Sequence, residues 1–380
     1  MDRRQFLLKG VAGTAAITVG QAAGCNECSA GEGDSLEQEA GKVQISKSTT
    51  HPPRPDSGRL NELWDAKVKE LVLLPVPTFD EGQKERHVLY CSLLMALVAH
   101  YWNGNKRGRE GTYPWRQKQK LPNGTYKGGD YLGHNIACIA VDGLGEVVDF
   151  DFNHNDLFNS SVEHAESRLV RRVFSLAQLS HGWATHKTTA PHPPETYSNI
   201  LNDVTFYTSL ESCVQCSGIM VLGSVKEVVF LQRDPGQNSI GNILRNLSPA
   251  DASFAAPLPI PADAFEFEPF TSLNQRYRQY QQKVAETPFY IPSSSAGASK
   301  SDHSSSMTSF LCTDDAMDIF NAERDKFEKT LTARYPTYKP KSLTGQESPK
   351  TLTNQNVVDH IHQFYSYAIS DGRRGTPHKL

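Results

Sequence analysis

Apolar residues fall along this chain in runs of two kinds, separated by polar stretches rich in Gly and Pro. Arg86-His-Val-Leu-Tyr-Cys-Ser-Leu-Leu-Met-Ala-Leu-Val-Ala-His-Tyr-Trp102 is long and free of Gly and Pro, which predicts a mostly buried helix. Asn135–Val141 predicts a buried strand, Asp142-Gly-Leu-Gly145 has hairpin-turn chemistry, and Glu146–Phe152 returns with alternation near its end. Glu163–Leu179 predicts a helix whose Leu169, Val170, Val173, Phe174 and Ala177 form one apolar face. Val204–Ser209 and Glu227–Gln232 read as buried strands, with a small-residue helix, Cys213–Val225, between them. The order helix, hairpin, helix, strand, helix, strand implies a sheet covered by helices, with parallel strands after the hairpin.

Past Arg233 the pattern weakens. A short helix is expected at Asn242–Leu247, a Pro/Phe-rich loop over 252–270, and a polar helix at Leu273–Glu286. Pro288–Pro292 reads as a short strand demoted by its prolines, and Ser293–Ser309 as a flexible Ser-rich segment. Two helices close the chain, Thr313–Tyr335 and Asn356–Ile369. There is no internal repeat.

The amino-terminal 25 residues read as an export signal, kept apart from the fold. Arg3-Arg4-Gln5-Phe6-Leu7-Leu8-Lys9 is a twin-arginine pattern, followed by a mildly apolar Gly/Ala run. That run lacks a sustained Leu/Ile block and makes a poor membrane helix. It ends at Ala22-Ala-Gly-Cys25, which resembles a lipoprotein cleavage box, so Cys25 would become a lipidated first residue. The expected location is periplasmic, or membrane-anchored through that lipid. Residues 26–58 form a disordered linker, too polar and Pro-rich to pack. A core over 59–250, with its motifs in 133–234, and a loop-rich and helical extension over 251–380 complete the organisation.

Charge narrows the function classes. Lys and Arg total 39 against 42 Asp and Glu, a net charge of −3, so the electrostatic footprint of a strong nucleic-acid binder is missing and no stable nucleic-acid partner is expected. There are seven cysteines, of which Cys91, Cys138 and Cys312 sit in apolar surroundings and read as buried thiols.

The chemistry lies in two short motifs. Ser161-Val-Glu-His-Ala-Glu166 supplies His164 and, two residues on, Glu166. Phe206-Tyr-Thr-Ser-Leu-Glu-Ser-Cys-Val-Gln-Cys-Ser-Gly-Ile-Met220 supplies Cys213 and Cys216 at a helix start, where both sulfurs point at one centre and helical N–H groups favour thiolates. His164, Cys213 and Cys216 make three ligands for one zinc ion with an open fourth position, the mark of a catalytic site. Glu166 stands beside it as a proton carrier. Each part alone is weak. His-Ala-Glu is common, and a lone Cys-x-x-Cys also fits a redox pair or half of a structural zinc site, for which Cys138 or Cys91 would be the fourth ligand.

Together, these motifs resemble the cytidine deaminase-like superfamily, in the branch of tRNA adenosine deaminases, guanine deaminases and deoxycytidylate deaminases, over about residues 133–234. The carrying segments are the hairpin Asn135–Asn153, the Phe206–Met220 stretch, and Val225-Lys-Glu-Val-Val-Phe230 with Arg233-Asp234. The resemblance implies an α/β fold, a three-layer α/β/α sandwich around a mixed five-stranded sheet, here with N- and C-terminal extensions. It implies a zinc-dependent hydrolytic deaminase of a nucleobase, nucleoside or related amino-heterocycle, with zinc hydroxide as nucleophile and Glu166 as proton shuttle. It further implies a homo-oligomer, a substrate-sugar contact from Asn153, eleven residues before His164, and a contact from the Ala165 backbone N–H to the base.

The chain departs from the pattern at Ser212, where the family has proline. The spacing between His164 and Cys213 is also long, with an extra loop over 180–200 (His181, Trp183, His186, His192, Tyr197) that suits a lid or a surface insertion. The export signal disfavours tRNA as substrate. Two alternatives stay open. One is an exported deaminase of single-stranded nucleic acid, with Lys106, Arg107, Arg109, Arg168, Arg171 and Arg172 meeting phosphates. The other is a non-catalytic zinc-stabilised binding protein, which would have little reason to keep Glu166.

Overall fold

Five strands form one sheet in the order β2-β1-β3-β4-β5. They are β1 (Ala137–Val141), β2 (Val147–Phe152), β3 (Thr205–Thr208), β4 (Glu227–Phe230) and β5 (Leu258–Pro261). The computed structural model describes residues 53–105, 133–155, 160–183, 201–248, 255–286, 289–292, 299–302, 304–340 and 350–370. The export signal with Cys25, most of the 26–58 linker, Lys106, Arg107, Arg109 and most of the 180–200 loop, with His186, His192 and Tyr197, lie outside the described residues. Among the described residues no helix is long and apolar enough to cross a membrane.

The hairpin β1–β2 is antiparallel and β1 pairs antiparallel with β3, whereas β3–β4 and β4–β5 are parallel. The sheet is thus mixed, as the element order predicts. Its turn closes on Gly145 at φ 95, a left-handed backbone where a side chain would also strike the Arg86 guanidinium.

Successive residues of a strand face opposite sides, and β1 separates two cores on that rule. Ala137, Ile139 and Val141 enter the larger core with Leu93, Leu97, Phe320 and Phe364. Cys138 and Ala140 enter the smaller one with Leu169, Val173, Phe206 and Met220. The larger core is covered by α1 (Glu81–His100), packed on its own sheet face and against two C-terminal helices, Asp314–Thr330 and Asn354–Ile369. The smaller core is covered by α2 (Ala165–Trp183) and α3 (Val214–Leu222). Helices on both faces of the sheet make the three-layer α/β/α sandwich.

Element ends differ from the sequence reading for local reasons. α1 begins five residues before Arg86 because Asp80 caps it: its carboxylate accepts the Gln83 N–H at 2.8 Å while Gln83 returns a bond to the Asp80 N–H at 2.9 Å. α2 starts at Ala165, so His164 caps rather than enters the helix, and it runs to Trp183 through residues expected in the 180–200 loop.

The largest difference is β5, which lies in the expected 252–270 loop. Its prolines are tolerated by alternation. Leu258 donates its N–H to Lys226 O at 3.1 Å, so Leu258 and Ile260 face β4 while Pro259 and Pro261 face the open edge, where no donor is needed. The described residues from Arg54 onward therefore pack as one unit in which the C-terminal part supplies an edge of the sheet. Phe289–Pro292 does form a strand, but it pairs only with Ser299–Asp302 in a separate two-stranded ribbon.

Candidate active site

The two motifs meet at the carboxyl ends of β3 and β4, the usual ligand side of an α/β sheet. After β3 the chain turns through Ser209–Ser212. The turn is held by the Ser209 N–H on Ala137 O at 3.0 Å and the Glu211 N–H on Gln232 O at 2.8 Å. Cys213 then caps α3 in extended backbone geometry, and Cys216 sits in its first turn. From the other direction, β2 ends at Phe152, and the His154 N–H donates to Glu163 O at 2.8 Å, which delivers His164 to the mouth of α2.

His164 Nδ1 lies 3.3 Å from Cys213 Sγ and 3.6 Å from Cys216 Sγ, and the three ligand atoms all lie within 4.8 Å of one another. One imidazole nitrogen and two thiols suit zinc. A tetrahedral ion with Zn–N of about 2.1 Å and Zn–S of about 2.3 Å separates N from S by about 3.6 Å. The residues present therefore fit the ion. Neither Cys91 nor Cys138 joins this cluster; both are buried in the cores, where burial raises their pKa values and keeps them as thiols. That removes the two candidates for a closed, four-residue structural site. Within the cluster, the hydrogen bond from Cys216 and the His164 imidazole draw the Cys213 thiol down to about 4. Its bond to Cys213 and its burial push Cys216 up. The bond with Cys213 raises His164.

Glu166 is almost fully buried, and burial raises its pKa above the ordinary carboxylate value. Its Oε2 accepts from the Cys216 thiol at 3.4 Å. Its Oε1 accepts from the Ser212 hydroxyl at 3.1 Å and the Thr208 hydroxyl at 3.4 Å. The sequence does not mark these hydroxyls as site groups. Ser212 stands out there only as a substitution for proline, yet its side chain is a direct partner of the carboxylate.

A cavity of about 580 Å³ opens in front of the cluster. It is lined by His164, Glu166, Cys213 and Asn153, and also by His134, Glu211, Asp234, Gln237 and Thr308. Of the two expected substrate contacts, Asn153 lines the cavity whereas Ala165 is fully buried behind it, and the Asn153 side-chain oxygen accepts the Ala165 N–H at 2.8 Å. The bond clamps the end of β2 to the first turn of α2.

The arginines of α2 do not form a phosphate-facing row. Arg172 reaches Asp149 at 3.0 Å and Asp151 at 3.3 Å, and Arg168 bonds Glu163 at 2.5 Å and Asp151 at 3.3 Å. Both aspartates are fully buried. Burial lifts Asp149 to about 7 against the opposing pull of Arg172. Arg171 alone of the three stays mostly exposed, with Glu163 at 3.3 Å.

No protein-family model matches the sequence, and no curated protein matches it either. Solved structures do match in part. A transfer-RNA deaminase that edits A to I at the wobble position is 18% identical, over 33% of this chain and 82% of that one, with a TM-score of 0.23. A guanine deaminase from Nitrosomonas europaea is 19% identical, over 36% of this chain and 73% of that one, with a TM-score of 0.21. A diaminohydroxyphosphoribosylaminopyrimidine deaminase/5-amino-6-(5-phosphoribosylamino)uracil reductase from Thermotoga maritima is 13% identical, over 54% of this chain and 43% of that one, with a TM-score of 0.28.

Proposed function

We propose that the protein is a zinc-dependent hydrolytic deaminase of a nucleobase, nucleoside or related amino-heterocycle. The observation that carries this reading is the convergence of His164, Cys213 and Cys216 within 4.8 Å, with the buried Glu166 carboxylate 3.4 Å from Cys216 at the floor of an open cavity. His164, Cys213 and Cys216 would hold the ion, whose chemistry when bound is to make water a competent nucleophile near neutral pH. Glu166 takes one proton from the water and passes it to a ring nitrogen, then takes the second from the hydroxyl now on the carbon and gives it to the departing amine, so that C–NH₂ and water become C=O and ammonia. Burial and the raised pKa favour a carboxyl that both accepts and gives back protons. The Ser212 and Thr208 hydroxyls hold Oε1 of Glu166, and Oε2, beside Cys216 at 3.4 Å, is the oxygen placed at the cluster for transfer.

The inward-turned Arg168 and Arg172 speak against a surface built to grip oligonucleotides. Ammonia release measured over cytosine, adenine, guanine, their nucleosides and single-stranded DNA tests the reading. Release from a base or nucleoside is the expected result, and release from DNA alone contradicts it. Ser212→Ala should lower kcat about 10- to 100-fold with zinc content unchanged, since a hydrogen bond to a charged group contributes roughly 1.5–3 kcal/mol. Steady-state kinetics with metal analysis checks this, and an unaltered kcat would show that the hydroxyl does not serve Glu166.

A further inference from the structure

The cavity is walled from both faces of the sheet. His164, Glu166 and Cys213 reach it from the layer packed through Ala165 and Leu169. Thr308 reaches it from the opposite layer, where its neighbours Met307 and Phe310 are buried in the larger core. It belongs to the C-terminal part of the chain, outside the motif-bearing 133–234 segment.

The segment that presents Thr308 is held in place. Tyr280 donates its hydroxyl to Ser304 O at 2.8 Å and Tyr277 to Ser305 O at 3.0 Å. Ser306 caps the helical turn Met307–Phe310 by accepting the Ser309 N–H at 3.2 Å. Its hydroxyl also lies 3.1 Å from Thr308 Oγ1. A hydroxyl donates one hydrogen bond and accepts two, so this contact uses one of three capacities of Thr308.

Beyond the apolar Ile136 and Leu210, the charged groups of the lining outside the cluster are anionic rather than cationic. Asn155, Glu211, Asp234 and Gln237 contribute to the lining, and none of the described lining residues is Lys or Arg. A phosphate would meet carboxylates there, whereas neutral hydroxyl groups pair with carboxylate, amide and hydroxyl alike. The volume of about 580 Å³ falls in the ~300–1,000 Å³ range of pockets that enclose a whole ligand, more than a single heterocyclic ring fills.

We propose that Thr308 is a specificity-determining residue that hydrogen-bonds a neutral, hydroxylated substituent carried by the amino-heterocycle. The C-terminal part of the chain thereby selects nucleoside-like substrates over the free base and over the phosphorylated form. This rests on the deaminase reading of the same cavity.

The test uses the zinc-loaded full chain with adenosine, cytidine and guanosine, their free bases and their 5′-monophosphates. In Thr308→Val the ratio of kcat/KM for nucleoside over base falls about tenfold, the loss of roughly 1.4 kcal/mol. Thr308→Ser restores it. An unchanged ratio in Thr308→Val, or a wild-type preference for the monophosphate, overturns the proposal while leaving the deaminase reading intact. Calorimetric titration of the same compounds separates the other failure. Nucleoside binding that weakens in Thr308→Val without any ammonia release would sink the deaminase reading and keep the role of Thr308. No nucleoside binding at all overturns that role.

Discussion

Glu166→Gln lowers ammonia release ~10²–10⁴-fold while the protein keeps one zinc per chain. The substitution preserves shape and removes only the group that ionises. Gln can still accept the Ser212 and Thr208 hydroxyls that reach Oε1, so the pocket around it has no reason to collapse. It offers no carboxylate to take a proton from water and no carboxyl to give one to the leaving amine. His164, Cys213 and Cys216 are untouched, so metal content separates loss of chemistry from loss of the site. Kinetics and elemental analysis on one preparation check both halves. Full turnover in Glu166→Gln would remove Glu166 from the mechanism.

Cys216→Ala has the second large effect, on metal and stability together. Cys216 is buried and holds two roles, as a ligand candidate beside His164 and as a hydrogen-bond partner of Glu166. An ion that binds only the folded state stabilises it by about 4 kcal/mol at a thousandfold excess over its dissociation constant. For a unit of this size that corresponds to roughly 10 °C in Tm. The variant should therefore melt about 10 °C below the zinc-loaded wild type, hold little zinc after dialysis, and release no ammonia. A chelator should lower the Tm of the wild type and leave that of the variant unmoved. Equal chelator sensitivity in both would place the metal elsewhere.

Much of this site is legible in the amino-acid sequence. The four strands β1 to β4 are short apolar runs bounded by turn residues, and the two motifs carry their spacing locally, in residues one to three apart. What the sequence hides depends on tertiary proximity. β5 is masked by Pro259 and Pro261, which read as loop until the register shows both facing an edge. Asp149 and Asp151 alternate with Phe150 and Phe152, a pattern that ordinarily marks a solvated face. Here that face lies under α2, and Arg168 and Arg172 turn inward to meet it. Ser212 looks like a loosened turn, because nothing in the sequence brings it to Glu166 across 46 positions. Thr308 lies farther still along the chain, in a Ser-rich stretch expected to be flexible.

Zinc-edge X-ray absorption on the purified wild-type protein tests the central claim most directly. An open site predicts about one zinc per chain with two sulfur ligands near 2.3 Å and the remaining positions filled by nitrogen and oxygen. Three or four sulfurs, or a protein that binds no zinc, would contradict it.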